Sequence, residues 1–211
     1  MVQGFSLGAN VDREADGQPE LLALGDDNNP VIADDEDGVT FPSTLVAGQS
    51  ATVRVTCTIP AGTVRTAFLD GWIDFNGNES WGDAGEQVFV SVPLVAGVNL
   101  LIFDVPASAR PGATFGRFRL SAKGRLAPGG LADNGEVEDH RVSIESAPRP
   151  LDFGDAPSPY PTLLANDGAR HVYDQAYQLG PSIDFETDGQ PSATALGDDA
   201  TAGGKIGRAH V

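Results

Sequence analysis

The sequence predicts an all-β protein: an antiparallel β-sandwich of jelly-roll or immunoglobulin-like type, with acidic, proline- and glycine-rich flanking connectors. Three observations carry this. Between residues 40 and 146 apolar residues recur with a period of two. Glycine- and proline-containing turn signals separate these runs at short intervals. No window holds an apolar stripe at helical spacing.

The strands follow in order. Ala51, Val53, Val55, Cys57 and Ile59 alternate with Thr52, Arg54, Thr56 and Thr58. Val88, Val90 and Val92 alternate with Phe89 and Ser91. Leu101, Phe103 and Val105 alternate with Ile102 and Asp104, which predicts a strand covered on both faces. Phe118 and Leu120 alternate with Arg117 and Arg119, and Val142 and Ile144 close the set with Arg141 and Ser143 outward. Pro60-Ala61-Gly62, Gly97, Arg110-Pro111-Gly112 and Pro128-Gly129-Gly130 mark turns. The Cys-Trp-Cys spacing of true immunoglobulin domains is absent.

Composition narrows the function. The 211 residues hold 30 acids and 13 bases, a net charge of −17, which excludes a phosphate-binding nucleic-acid surface and a polybasic membrane anchor. The apolar runs are strand-sized, so no membrane span is expected. One cysteine, Cys57, rules out an intrachain disulfide and sits on the apolar side of its strand, as a small buried hydrophobe would. Twenty-six glycines and 15 prolines mark a turn-rich chain.

The sequence repeats itself. Residues 7–27 and 179–199 are identical at 13 of 21 positions, at an offset of 172. The shared positions include Leu7-Gly8 with Leu179-Gly180, and Ala23-Leu24-Gly25-Asp26-Asp27 with Ala195-Leu196-Gly197-Asp198-Asp199. A fixed period of this kind marks a tandem array. The expected organisation is therefore an acidic connector from a preceding unit over residues 1–39, a sandwich over 40–146, and a connector plus the start of the next unit over 147–204. Residues 205–211 read as translated sequencing adapter. Ser146-Ala147-Pro148-Arg149-Pro150 is the expected linker.

Three acidic clusters are candidate metal sites. In the first, Asp74, Asn76, Asn78 and Ser80 place oxygens at positions 1, 3, 5 and 7 of a loop that Asp83 and Glu86 close. Calcium takes six to eight oxygen ligands, and alternate residues of a tight loop can point at one ion. The loop departs from the helix-flanked pattern: its glycine, Gly77, comes at the fourth place, and Trp72-Ile73 before it reads as strand. The same residues also read as a solvated Asn-Gly hairpin turn. The second cluster comprises Asp26, Asp27, Asp34, Asp35, Glu36 and Asp37, whose mutual repulsion a divalent ion would relieve; a soluble charge run is the other reading. The third is Glu136, Glu138 and Asp139, which either bind metal or pair with Arg117 and Arg119 on a neighbouring strand. Glu136 and Glu138, about 6.5–7 Å apart on one strand face, also have a glycosidase-like spacing, but so does any such pair. No zinc-protease, nucleophile-elbow or phosphate-loop motif is present, and Arg170-His171 lacks a partner nucleophile.

Taken together, Gly135-Glu136-Val137-Glu138-Asp139, Gly71-Trp72-Ile73-Asp74-Phe75-Asn76-Gly77, Asp35-Glu36-Asp37-Gly38-Val39 and Asp152-Phe153-Gly154-Asp155-Ala156-Pro157 resemble the GEVED-type domain of bacterial surface and secreted proteins. Tyr160-Pro161-Thr162-Leu163-Leu164 and Gly168-Ala169-Arg170-His171 fit the same arrays, so the resemblance spans residues 7–204. His140 stands where the family usually has Tyr, and Asn78 where its loop often has Asp. The resemblance implies large, extracellular, adhesin-like repeat proteins built of β-sandwiches with calcium (Ca2+) and no catalytic activity. Its expected partners are neighbouring repeats and surface glycans or other cell surfaces. A carbohydrate-binding module using Trp72, Trp81 and Tyr160, and an accessory domain of a secreted hydrolase, are the alternatives.

Overall fold

A computed structural model describes residues 4–9, 19, 23, 37–62, 66–174, 176, 177, 179, 183 and 185–197. The chain divides into two units, Met1–Ala147 and Pro148–Val211.

The first unit is a β-sandwich. One sheet is centred on β4 (Ser50–Thr58). β7 (Gly97–Asp104) pairs antiparallel along β4 from Ser50↔Asp104 to Cys57↔Gly97. Two short strands also pair with β4: β1 (Ser6–Leu7) at Thr58 and Cys57, and β2 (Val39–Thr40) at Val55 and Arg54. The other sheet has the order β3-β9-β8-β5-β6, built from β3 (Leu45–Val46), β5 (Ala67–Ile73), β6 (Gln87–Leu94), β8 (Gly112–Ser121) and β9 (Glu136–Glu145). Every pairing in it is antiparallel except β3 with β9, which is parallel.

The period-two pattern turns into burial. Val53, Val55, Cys57, Leu69, Ile73, Phe118, Leu120, Val142 and Ile144 are buried between the sheets, while Arg54, Thr58, Arg141 and Ser143 face outward. Removing that apolar surface from water, at about 25 cal/mol per Å2, is the main force holding the sheets together. Aromatic rings lock the centre: Phe89 packs edge-on to Phe103 at 5.9 Å, and Phe118 lies 5.9 Å from Phe41.

Two strands differ from expectation. On β6, Phe89 is buried and Val90 is 62% exposed, while Val88 and Val92 are half-buried against the core, so the three valines do not share one face. The cause is a break in the β5–β6 register, with Ser91 in the left-handed region at φ 49°. On β7, Phe103 is buried, but Leu100 and Ile102 are 66% and 70% exposed; this strand is covered on one face, not two. The residues expected as a leading connector also contribute β1 and Val39, with Phe5, Leu7 and Val39 part of the core.

The second unit is small. β10 (Leu151–Phe153) pairs with β11 (Arg170–Val172), and a 3₁₀ turn spans Leu164–Asn166. Acidic side chains hold its loops by capping backbone amides: Glu186 accepts from Phe153 N–H (3.1 Å), Asp188 from Leu164 N–H (2.7 Å), and Asp155 from Gly197 N–H (2.9 Å). Among the described residues no helix is long and apolar enough to cross a membrane.

Candidate metal site and carboxylate clamps

The loop from Asp74 to Glu86 leaves the end of β5 and returns to the start of β6. Backbone bonds fasten its base: Asp74 N–H donates to Phe115 O (3.0 Å) and Ile73 N–H to Glu86 O (2.9 Å). The buried Thr114 hydroxyl adds a bond to Asp74 O at 2.7 Å. Asp74 is itself buried and turns its carboxylate into the loop, accepting the amides of Gly77 (2.7 Å), Asn78 (3.2 Å) and Glu79 (2.9 Å). This aspartate-centred turn explains why the loop opens with that residue. Asp83 Oδ2 accepts from Asn78 Nδ2 (2.8 Å) and Asn76 Nδ2 (3.2 Å), and the Ser80 hydroxyl accepts from Gly82 N–H (3.1 Å). All six residues singled out in the sequence thus lie in one loop.

Glu86 is the unusual member. It is 2% exposed; Oε2 accepts Asp83 N–H at 3.3 Å, while Oε1 is buried with no hydrogen-bond partner. Burial pushes its carboxyl above the usual range and the charges of Asp74 and Asp83 push it further; the Asp83 amide, and more weakly the Asn76 amide, pull the other way. Asp83 is held below the usual range by the Asn78 and Asn76 side chains. A recess of about 130 Å3 beside Glu86 is lined by Phe75, Asn76, Ala84, Gly85, Pro106 and Ser108.

The loop carries the oxygen types that a hard cation takes. Among the described residues no three His, Cys, Asp or Glu side chains form a metal-binding group by themselves. Calcium, however, accepts amide, hydroxyl and carbonyl oxygens alongside carboxylates. Here Asp83 and Glu86 are joined by Asn76, Asn78 and Ser80, and Glu86 Oε1 is a buried acceptor with no hydrogen-bond partner, whereas both oxygens of Asp74 are taken by loop amides.

The Glu136–Asp139 segment is engaged differently. Gly135, at φ +99°, opens it where a Cβ would lie 1.8 Å from Leu120 O, so only glycine fits. Glu136 Oε2 accepts Leu7 N–H. Glu138, 1% exposed, spreads both oxygens over the amides of Gly38 and Val39 at 3.0 Å each, and His140 Nε2 lies 2.9 Å from Oε2. The His140 ring packs on Phe41 and Phe118. Asp139 takes a two-point ion pair from Arg117, with Nε at 2.7 Å and Nη2 at 2.5 Å, while the Arg117 guanidinium lies 4.4 Å over Trp81. Arg119 instead donates to the carbonyls of Ala127, Gly129 and Gly130. Glu136 and Glu138, alternate residues of β9, therefore pin β1 and β2 to the sandwich, and Asp139, the next residue, pairs across the sheet with Arg117.

Asp37 accepts Ala9 N–H at 2.9 Å. Asp26, Asp27, Asp34, Asp35 and Glu36 lie outside the described residues. Asp70 escaped the sequence reading: fully buried on β5, it accepts the amides of Ser91 (2.8 Å) and Leu126 (3.2 Å). An acid inside the apolar run Ala67–Ile73 was its only signal. Trp72 is 2% exposed, and Trp81 donates to Phe115 O under Arg117, so the two tryptophans form no open stacking platform.

A family model described as the GEVED domain matches residues 68–143, the stretch from β5 to β9, and that stretch carries the domain name. No curated protein matches the chain.

Proposed function

We propose that this chain is a calcium-stabilised β-sandwich module of a large, extracellular, tandem-repeat bacterial surface protein, and that its role is structural or adhesive and not catalytic. The observation that carries the metal part is Glu86: a buried carboxylate, one oxygen without a partner, beside two further carboxylates on one loop. The array part rests on the repeat of residues 7–27 at 179–199. Asp83 and Glu86, with Asn76, Asn78 and Ser80, would hold the cation, which supplies charge neutralisation, while both oxygens of Asp74 are already on loop amides. Asp74 orients the loop through the amides of residues 77–79. Glu138 already has both oxygens on amides and serves as a structural clamp.

A metal that binds only the folded state adds RT ln(1 + [L]/Kd), about 2.7 kcal/mol at a hundredfold excess over Kd. That gain would stand in for disulfides, which a chain with a single cysteine cannot form within itself. Neighbouring repeats are the proposed first partners, with surface glycans or other cells beyond them. A glycan platform built on Trp72 has less support, since that ring is buried. Calorimetric titration of calcium into the chain and its Glu86→Gln variant tests the metal reading. A saturable site weakened at least tenfold in the variant is expected; no binding, or equal binding by both, overturns it.

A further inference from the structure

β1 shows what the first residues of a repeat do. Phe5 and Leu7 are 6% and 0% exposed. Leu7 pairs with Cys57 and Ser6 with Thr58; Gly8 N–H donates to Thr56 O at 2.8 Å, and the Thr58 hydroxyl donates to Gly8 O at 2.5 Å. Glu136 receives Leu7 N–H. Gly8 sits at φ +61°, and a Cβ there would lie 2.8 Å from the Gly38 backbone N and run into the Asp37 carboxylate, so the seat favours glycine.

At the offset of 172, Phe5, Leu7 and Gly8 correspond to Tyr177, Leu179 and Gly180. The aromatic, the leucine and the glycine all return. The backbone agrees further along: Ala23 and its counterpart Ala195 both adopt the left-handed conformation, at φ 57° and 48°. Yet Tyr177 and Leu179 are 83% and 89% exposed, where Phe5 and Leu7 are buried. The apolar pair that β1 buries against β4 is here left in solvent.

We infer that Tyr177 and Leu179 belong to a docking strand equivalent to β1, and that its acceptor is the β4 edge of another copy of this sandwich. The acceptor is specified by residues already described: Cys57 and Thr58 for the ladder, Glu136 for the leucine amide, and the Asp37-Gly38 turn for the glycine. One contact is not repeated. Ala9 N–H donates to Asp37 Oδ1, but its counterpart Pro181 has no N–H. Successive modules would thus interlock by strand addition, the small unit of one carrying the first strand of the next. This rests on the array part of the proposed function and not on the cation.

The test is a chimera of the full chain in which residues 177–199 replace residues 5–27, melted beside the wild type with calcium and with chelator. If the second copy is a β1 equivalent, the chimera melts within about 4 °C of the wild type in either condition. Changing its transplanted leucine to Asp then lowers the melt by more than about 8 °C, the scale expected when a buried leucine is lost. Leu179→Asp at its own place leaves the sandwich melt unchanged. A chimera that fails to fold, that melts as low as a Leu7→Asp chain, or that tolerates the aspartate overturns the inference. The calcium reading can fail separately, since the ordering of these variants does not depend on the ion.

Discussion

Replacing Glu138 by Gln should destabilise the sandwich far more than one removed charge suggests. The carboxylate is 1% exposed and accepts the Gly38 and Val39 amides, each at 3.0 Å. Gln keeps the shape but offers one acceptor oxygen; its NH2 group must face one of two backbone N–H donors. That amide loses a bond to a charged acceptor, worth about 1.5–3 kcal/mol, and is left buried without a partner. The net loss should be about 2–4 kcal/mol. At about 3 °C per kcal/mol for a unit of this size, the melt falls by about 6–12 °C. Thermal melting by circular dichroism gives the global effect. Hydrogen exchange at residues 38 and 39 gives the local one and should accelerate before the rest of the sheet. The exposed Glu145→Gln serves as control. A Glu138→Gln melt within about 2 °C of wild type, with residues 38 and 39 still protected, would refute the clamp.

Three further outcomes are expected. Cys57 is 1% exposed and burial pushes its thiol up to about 11, so a thiol reagent at neutral pH should label it only as the chain unfolds; rapid labelling of the native protein contradicts its place in the core. Arg117→Lys loses the two-point contact with Asp139 and the stacking on Trp81, and should cost about 1–2 kcal/mol at this partly exposed site, read as a shifted denaturant midpoint. Glu86 has a folded-state carboxyl raised above its unfolded one, so the stability it contributes is present at acid pH and is lost as pH rises through the folded value. In chelator, Glu86→Gln should therefore match or exceed wild type at pH 7, with the gap closing towards about pH 4; a variant clearly less stable at pH 7 contradicts this.

Much of the sandwich was legible because burial on one face of a strand writes a period of two into the sequence, as on β4, β8 and β9. The pattern misled where that rule fails. A shift in register at Ser91 exchanges the faces of β6, and one displaced residue cannot be seen in a run of alternating valines. The outward apolar stripe of β7 looks, in sequence, the same as a strand buried twice. β1 was invisible because two residues are too few for a period; its place depends on Glu136, distant by 129 positions. For the acids, spacing grouped the 74–86 loop, but it could not separate carboxylates that cap amides, such as Asp74 and Glu138, from one with an open oxygen, such as Glu86. That difference is three-dimensional: it depends on which backbone donors the fold brings within 3 Å.

The most direct test of the account is one pair of melts, wild type and Glu86→Gln, each with millimolar calcium and with chelator. Calcium should raise the wild-type melt by about 8 °C at a hundredfold excess over Kd, and the variant's by no more than about half as much. A wild-type shift below about 2 °C, or an equal shift in both chains, would contradict it.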